Sequence, residues 1–343
     1  MSKRVARAVD IGFGYTKVAQ SMIDDVHGLR ALSFPSFPSP VASNTGFATD
    51  VMDRLHFVTV DIDGARYNVG PDAMTLASGR AVRTATDLFF SSPQYQALYL
   101  GAIAYMDLPK GQSTIHQMSL GLPTTVWANE TLRSQLKERM RGTFEVPVPD
   151  SGETRRITVE EVSIYPQVLG LLVSISSQDG DMDVVAKQNN LVIDVGFGTL
   201  LWMVTKGFKQ QMGRTSGTQG GVSSMLKAVA RSLGNGLQND PRTLERIDDA
   251  LRLDQPLQVD GQTIDLARCR AQADAQALTH VQELIESIGN TNDLDNIFLG
   301  GGGMHLYERI LQDTFKGRVI RRPVTEPQFA NLNGLQDLAE QRL

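Results

Sequence analysis

One short peptide occurs twice in this chain, and the repetition restricts its possible folds more than any other feature. Val9-Asp10-Ile11-Gly12-Phe13-Gly14 and Ile193-Asp194-Val195-Gly196-Phe197-Gly198 are nearly the same sequence in opposite halves. Each closes an apolar run that reads as a strand ending in Asp, Val5–Asp10 and Asn190–Asp194. Each is followed by a returning strand, Tyr15–Gln20 and Leu200–Thr205. Strand, glycine turn and strand make a hairpin, and the glycines leave room for a ligand beside the backbone. A unit repeated in the two halves predicts two related lobes, with the turns facing one another across a cleft.

The chemistry of such a turn suits a nucleotide. Successive backbone N–H groups form a nest for phosphate oxygens. The Asp at the strand end supplies a carboxylate for Mg²⁺, through water, because Mg²⁺ keeps part of its hydration shell. A single copy reads equally as a glycine hairpin with a solvated Asp, and the matched pair argues against that. Lys17 can reach the β- and γ-phosphates as a point charge, or serve as a surface strand lysine. Thr16 and Thr199 can add hydroxyl contacts. A third glycine element, Gly300-Gly301-Gly302-Gly303, follows an apolar strand (Asn296–Leu299) and precedes a helix read as Tyr307–Phe315. It leaves a corner where an adenine or ribose can lie on bare backbone, with a helix N-terminus near the phosphates. Without the other two it would read as a flexible strand-to-helix turn.

The remaining pattern alternates strands and helices. Leu55–Asp61 and Ala65–Val69 read as a hairpin about Asp63-Gly64. Helices are expected at Gln94–Met106, Asn129–Arg141, from Pro166 to Ser177, Gly220–Leu233, Pro241–Leu251, Leu266–Ile288 and Gly334–Arg342. Further strands are expected at Gln117–Leu122, Arg155–Val162 and Val319–Arg321. Pro35, Pro38 and Pro40 mark a loop, since proline cannot continue a ladder. The 343 residues, 41% hydrophobic, suffice for two domains.

The charge balance, 33 Lys+Arg against 38 Asp+Glu, excludes the basic footprint of a direct DNA binder. Arg318, Arg321 and Arg322 read as a solvated loop, with a local basic patch as the alternative. The one cysteine, Cys269, permits no disulfide framework and fits a reducing compartment and a small core residue. His27, His56, His116, His280 and His305 have no ligand spacing. With no secretory signal and no run of about 20 apolar residues, a cytoplasmic protein away from membranes is expected.

The order of these elements resembles the actin/Hsp70/sugar-kinase superfamily: phosphate-1 hairpin, phosphate-2 hairpin, then a Gly-Gly adenosine motif. The chain is most similar to plasmid-segregation actins of the ParM/StbA type, among them the ParM-like protein D of PRTRC plasmid systems. Phe34-Pro35-Ser36, Trp202, Ser216-Gly217-Thr218-Gln219-Gly220-Gly221 and Phe329-Ala330-Asn331-Leu332-Asn333-Gly334 carry that closer match. The resemblance implies an α/β, actin-like (ribonuclease H-like, duplicated) two-lobed ATPase. Its domain I would span 1–165 plus 325–343 and its domain II 166–324.

Asp10 and Asp194 would organise Mg²⁺ through water, and Gly12, Gly14, Gly196 and Gly198 would cradle the phosphates of ATP. Gly301 and Gly302 would border the adenosine. Phe13, Tyr15, Thr16, Lys17, Phe197, Thr199, Gly220, Gly221, Lys227, Gly303 and Met304 complete the nucleotide-contacting set that the resemblance implies. Gln167, in Tyr165-Pro166-Gln167-Val168-Leu169-Gly170-Leu171, matches the position that orients attacking water; otherwise it is a polar residue at a helix start. One departure stands out: Gly198-Thr199-Leu200-Leu201 places Leu201 where the family usually carries an acidic residue, so slower hydrolysis or altered metal dependence is expected.

The resemblance further implies head-to-tail filaments that assemble with ATP and disassemble on hydrolysis, moving plasmid copies through a DNA-binding adaptor. The alternatives are a cytoskeletal actin for cell shape or organelle positioning, or a non-polymerising kinase, for which no substrate acid or base is evident. A chaperone-type ATPase would need a peptide-binding domain after the adenosine motif, and none is expected.

Overall fold

A computed structural model describes residues 4–23, 28–41, 55–76, 87–234, 236–259, 261–324 and 326–343. The chain divides into two compact units, Met1–Val173 with Asn331–Leu343, and Ser174–Ala330.

Unit 1 is built on a six-stranded sheet. Its strands are β1 (Ala6–Ile11), β2 (Tyr15–Ile23), β3 (Gly28–Pro35), β7 (Thr114–Leu122), β8 (Gly142–Pro147) and β9 (Thr154–Pro166), in the order β3-β2-β1-β7-β9-β8. A small sheet pairs β4 (Ser39–Pro40), β6 (Ala65–Val69) and β5 (Val58–Ile62). The β5–β6 turn puts Asp63 at φ 51° and Gly64 at φ 85°, the double left-handed turn that Asp-Gly favours. Helices α1 (Pro93–Ala104), α2 (Thr124–Trp127) and α3 (Glu130–Met140) join the strands. Ser92 caps α1, accepting from Tyr95 N, and Pro93 takes the first helical position, where no N–H is required. The core gathers Val9, Ile11, Phe90, Tyr99, Met118 and Val159.

α4 (Gln167–Asp179) starts in unit 1, and the boundary falls within it, between Val173 and Ser174. Unit 2 follows with the short α5 (Met182–Val185) and then β10 (Asn189–Val195), β11 (Thr199–Lys206), β12 (Lys209–Gln210) and β13 (Ser216–Gln219). Helices α6 (Gly221–Leu233) and α7 (Pro241–Leu253) lead to a hairpin of β14 (Leu257–Val259) and β15 (Gln262–Ile264). Then come the long α8 (Leu266–Ile288), β16 (Asn296–Gly300), α9 (Met304–Thr314) and β17 (Ile320–Arg321). The main sheet runs β12-β11-β10-β16-β17, with β13 on β11. Leu226, Val229, Ala277, Leu284, Phe315 and Leu299 belong to its core. The chain returns to unit 1 with α10 (Ala330–Glu340).

The duplication read from sequence extends to topology. In each unit the glycine hairpin is antiparallel and its first strand pairs in parallel with a strand arriving after helices, β7 or β16. The register repeats as well: Asp10 lies opposite Gly121, and Asp194 opposite Gly300.

Several expectations need correcting. Pro35 and Pro40 do not mark a loop; they lie within β3 and β4, paired with Tyr15 and Tyr67, at strand ends and a sheet edge where a missing donor is tolerated. β8, β13 and the β14–β15 hairpin were not foreseen, being short and half-polar. α9 begins at Met304, directly after the glycines, rather than at Tyr307. α10 begins at Ala330 rather than Gly334.

Gly334 is instead interior to α10 and packs on Gly170 of α4, where a Cβ would overlap the Gly170 carbonyl. A Cβ on Gly170 would in turn overlap the Asn331 carbonyl. The helix backbones therefore touch with no side chain between them. Gly334→Ala is expected to lower stability by about 2 kcal/mol, as overpacking does, despite alanine's better helix propensity. Thermal denaturation checks this; an unchanged or raised midpoint would refute the close contact.

Candidate functional site

In unit 1 the site grows from the end of β1, whose residues are all buried. Asp10 is 1% exposed. A carboxylate this deep needs hydrogen-bonding partners, and both oxygens have one. Lys17, its cross-strand neighbour, places Nζ 2.9 Å from Oδ2, and Gln167 donates from Nε2 to Oδ1 at 2.6 Å. Gly121 makes room for this: a Cβ there would lie 2.8 Å from Gln167 Cγ and 3.3 Å from Asp10 Oδ1. Sequence reasoning did not single out Gly121. Its signal is a glycine late in an apolar strand, just before Pro123.

The turn is closed by Gly12 N donating to Tyr15 O at 3.1 Å, while Gly14 O accepts from Ser36 N at 2.9 Å. Phe13 packs its ring against Phe89 and Phe90, 5.7 and 5.5 Å between centroids, and those rings pack on Tyr95. The Phe13 side chain is thus an anchor, and only its backbone belongs to the turn surface. Burial, then the Asp10 charge, pushes the Tyr95 phenol well above its ordinary pKa. Thr16 is fully buried, its hydroxyl 2.9 Å from Ser36 Oγ, so it braces the strand from the opposite face; Tyr15 is exposed.

In unit 2 the second turn closes through Gly196 N to Thr199 O at 2.9 Å. Its carbonyls are met by the start of α6. Gly220 N donates to Gly198 O (2.6 Å), Val222 N to Gly196 O (3.1 Å) and Ser223 N to Phe197 O (2.8 Å). These are the orphan donors of a helix N-terminus, engaged here by a turn. The described peptide bonds are all trans, so each N–H points opposite to the preceding carbonyl. The N–H groups of Phe197 and Gly198 therefore point away from α6, the orientation a phosphate nest requires. Gly220 (φ 107°) and Gly221 (φ 34°) make the approach possible, and a Cβ on Gly221 would overlap Gly196 O.

The third glycine element packs onto the same turn. A Cβ on Gly301 (φ 88°) would overlap the Asp194 carboxylate and the Val195 carbonyl. Gly303 N donates to Val195 O at 3.0 Å, and Gly303 presses against Val222. Gly302 is exposed and open, and Met304 begins α9. Asp194, Gly196–Thr199, Gly220–Gly221 and Gly301–Met304 are thereby gathered at one end of unit 2. Lys227 is exposed on α6, about 9 Å along the axis from Gly221. Leu201 lies directly across from Asp194 and is buried against Gly217. A carboxylate there would oppose a like charge.

Among the described residues no group of three or more His, Cys, Asp or Glu could hold a metal. Asp10 in unit 1 and Asp194 in unit 2 each offer carboxylate oxygens, hard donors of the kind that suit Mg²⁺. His56, His116, His280 and His305 are scattered, and His27 lies outside the described residues. Cys269 is buried in α8. Arg318, Arg321 and Arg322 do not form the solvated loop expected of them. Arg318 donates to the carbonyls of Thr291 and Leu294, Arg321 to Asp179 (2.7 Å) and Asp181 (2.8 Å), and Arg322 pairs with Glu308. No described helix is long and apolar enough to cross a membrane.

Two family descriptions match the chain: "Actin like proteins N terminal domain" over residues 8–170, and "Archaeal actin homologue MreB-like, C-terminal" over residues 192–313. Among solved structures, the chain is similar to the apo pSK41 ParM protein (TM-score 0.71, 16% identity, covering 99% of this chain and 98% of that one). It is similar to the archaeal actin homologue Ta0583 in complex with ADP (TM-score 0.72, 17% identity, 98% and 99% covered). A 15-stranded ParM filament from Clostridium botulinum gives TM-score 0.68 at 19% identity, with 99% of each chain covered. No curated protein matches by sequence. Identities this low show the shared fold: two actin-like domains of mixed sheets and helices.

Proposed function

This chain belongs to the actin-like proteins, and on that premise we propose that it binds and slowly hydrolyses ATP, assembles with copies of itself, and segregates plasmid DNA. The observation that carries this reading is the repeated corner, an Asp at a strand end beside a glycine turn, opposite a glycine on the parallel neighbour. Domain I would correspond to the unit holding Asp10 and domain II to the unit holding Asp194.

In this reading the phosphates rest on the backbone N–H groups of both turns, with the adenosine along Gly301 and Gly302. Mg²⁺, when bound, supplies the positive charge that neutralises the phosphates, and Asp10 and Asp194 orient its waters. Lys17 leaves Asp10 to meet phosphate as a point charge. Gln167, whose Nε2 donates to Asp10, has its amide oxygen to orient a water for in-line attack; an amide accepts protons poorly, which suits slow turnover. Leu201 removes one carboxylate from the water network and adds to that slowness.

Assembly would follow from differential contacts: the γ-phosphate favours one conformation of the chain and hydrolysis withdraws that bias. Head-to-tail contacts need not close and so give filaments. The ADP complex and the ParM filament among similar structures support this reading. An adaptor protein would link such a filament to DNA, since the arginines of residues 318–322 are already engaged within their own unit. The match to an MreB-like C-terminal domain favours, as a second reading, a cytoskeletal filament without a plasmid cargo.

Sedimentation with ATP, with ADP and without nucleotide is the test. An ATP-dependent pellet that dissolves as ATP is consumed is the expected result. No pellet over a wide concentration range, with ATP bound, would leave a non-polymerising nucleotide-binding protein.

A further inference from the structure

Behind the glycine elements of unit 2, an otherwise apolar core contains a polar chain. His280 is 3% exposed, on the face of α8 that also buries Ala273, Ala277, Val281 and Leu284. Its Nδ1 is 2.5 Å from the Tyr307 hydroxyl, and the two ring planes differ by 13°. Its Nε2 lies 3.4 Å from Ser224 Oγ and 3.2 Å from Gln276 Nε2. Ser224 Oγ donates onward to Gly221 O at 2.9 Å.

Placement gives this chain its meaning. Ser224 is in the first turn of α6, whose start holds the carbonyls of the Gly196–Gly198 turn. Tyr307 is at the end of the first turn of α9, whose start is the Gly301–Gly303 corner. The same two helix starts meet directly where Gly303 packs on Val222. Burying an imidazole, a phenol and a hydroxyl costs desolvation that leucine or valine would not incur, and a satisfied polar network fixes one arrangement where apolar packing would tolerate several.

We propose that His280 is a positioning residue for nucleotide binding: its neutral imidazole braces the first turns of α6 and α9, and so sets the phosphate turn against the glycine corner. This rests on the nucleotide-binding reading above and extends it to a residue that does not touch the ligand.

The neutral ring is required by the partners. Ser224 commits its proton to Gly221 O, so Nε2–H donates to Ser224 Oγ while Nδ1 accepts from the Tyr307 hydroxyl. In the imidazolium Nδ1 donates as well, and the buried Tyr307 O–H loses its acceptor. Burial holds the ring below the ordinary histidine value of 6.5, and Glu283 on the same helix works in the opposite direction. The titratable groups bearing on the ring are Glu283 and, from α9, Tyr307; α6 presents the uncharged Ser224. Nucleotide affinity is therefore full above the ordinary value and is lost as pH falls through the depressed one.

Calorimetric binding of Mg-ATP from about pH 5.5 to about pH 8, on the full chain and its H280Q, H280N and S224A variants, tests this. Glutamine keeps a hydrogen-bonding atom near the Nε2 position and does not titrate. The titration of ATP itself is common to all variants, so differences between them isolate His280. The unaltered chain is expected to lose about tenfold in affinity at the acid end relative to H280Q. H280N and S224A, which give up the Ser224 contact, are expected to bind about tenfold more weakly at every pH. A histidine that merely fills the core would lower the melting temperatures of H280Q and H280N while leaving affinity and its pH profile unchanged, and that result overturns the proposal. Should H280N not fold, S224A and the comparison of H280Q with the unaltered chain still decide. If the unaltered chain binds no ATP at any pH, the nucleotide reading itself fails and the positioning role falls with it.

Discussion

Asp10→Ala is expected to abolish Mg-ATP turnover, with a fall of about a thousandfold or more, because it removes a carboxylate that orients metal-bound water. Asp194→Ala should do the same from the other unit. If both residues serve one nucleotide, the double variant loses little beyond either single one, as happens when residues act as a unit. Independent, additive losses would mean that the duplicated corners serve different ligands. Folding must be monitored separately for Asp10. Its oxygens accept from Lys17 at 2.9 Å and Gln167 at 2.6 Å, and removing a buried charge partner costs about 3 kcal/mol. Asparagine keeps the shape but removes the charge that Lys17 pairs with. Asp194 is buried as well, so folding of Asp194→Ala is monitored in the same way. Turnover at the normal rate in a folded Asp194→Ala protein would remove the second corner from the site.

Gln167→Ala should slow hydrolysis by about a hundredfold while changing ATP affinity less than threefold, the signature of an interaction made in the transition state. If filaments form, they should then outlast those of the unaltered chain once ATP is added, because assembly needs only the bound triphosphate. The geometry adds a condition. Gln167 donates one N–H to Asp10, so a water is held by its amide oxygen or second N–H unless that bond is given up. Gln167→Glu sets two carboxylates against each other in place of this bond, and should raise the Mg²⁺ dependence of ATP binding more than it alters the binding of metal-free ATP. Hydrolysis at an unchanged rate in Gln167→Ala would return this residue to a purely local role at the start of α4.

Much of this was legible in the chain. The two Asp–glycine turns, the strands that enter and leave them, and the glycine run after β16 follow from local rules: apolar runs make strands, and glycines permit turns that side chains forbid. The Asp63-Gly64 hairpin, and α8 from Leu266 to Ile288, are of the same kind. Strands β8, β13, β14 and β15 were not legible, because their residues are half-polar and owe their pairing to neighbours rather than to their own pattern. Arg321 read as a solvated charge, and only the fold puts Asp179 and Asp181 within 2.7 and 2.8 Å of it.

Local sequence thus determined the strands and glycine turns of the repeated corners and the existence of the main helices, and that the two halves share one plan. Glycine and apolar periodicity act within a few residues, so no wider context was required. Tertiary structure alone decided the partnerships: Gly121 making space for Gln167 on Asp10, α6 turning the Gly196–Gly198 carbonyls aside, Gly334 lying against Gly170, and His280 between Tyr307 and Ser224. Those contacts join residues far apart in the chain. They depend on how backbones approach once the core is packed, and no local preference encodes that distance.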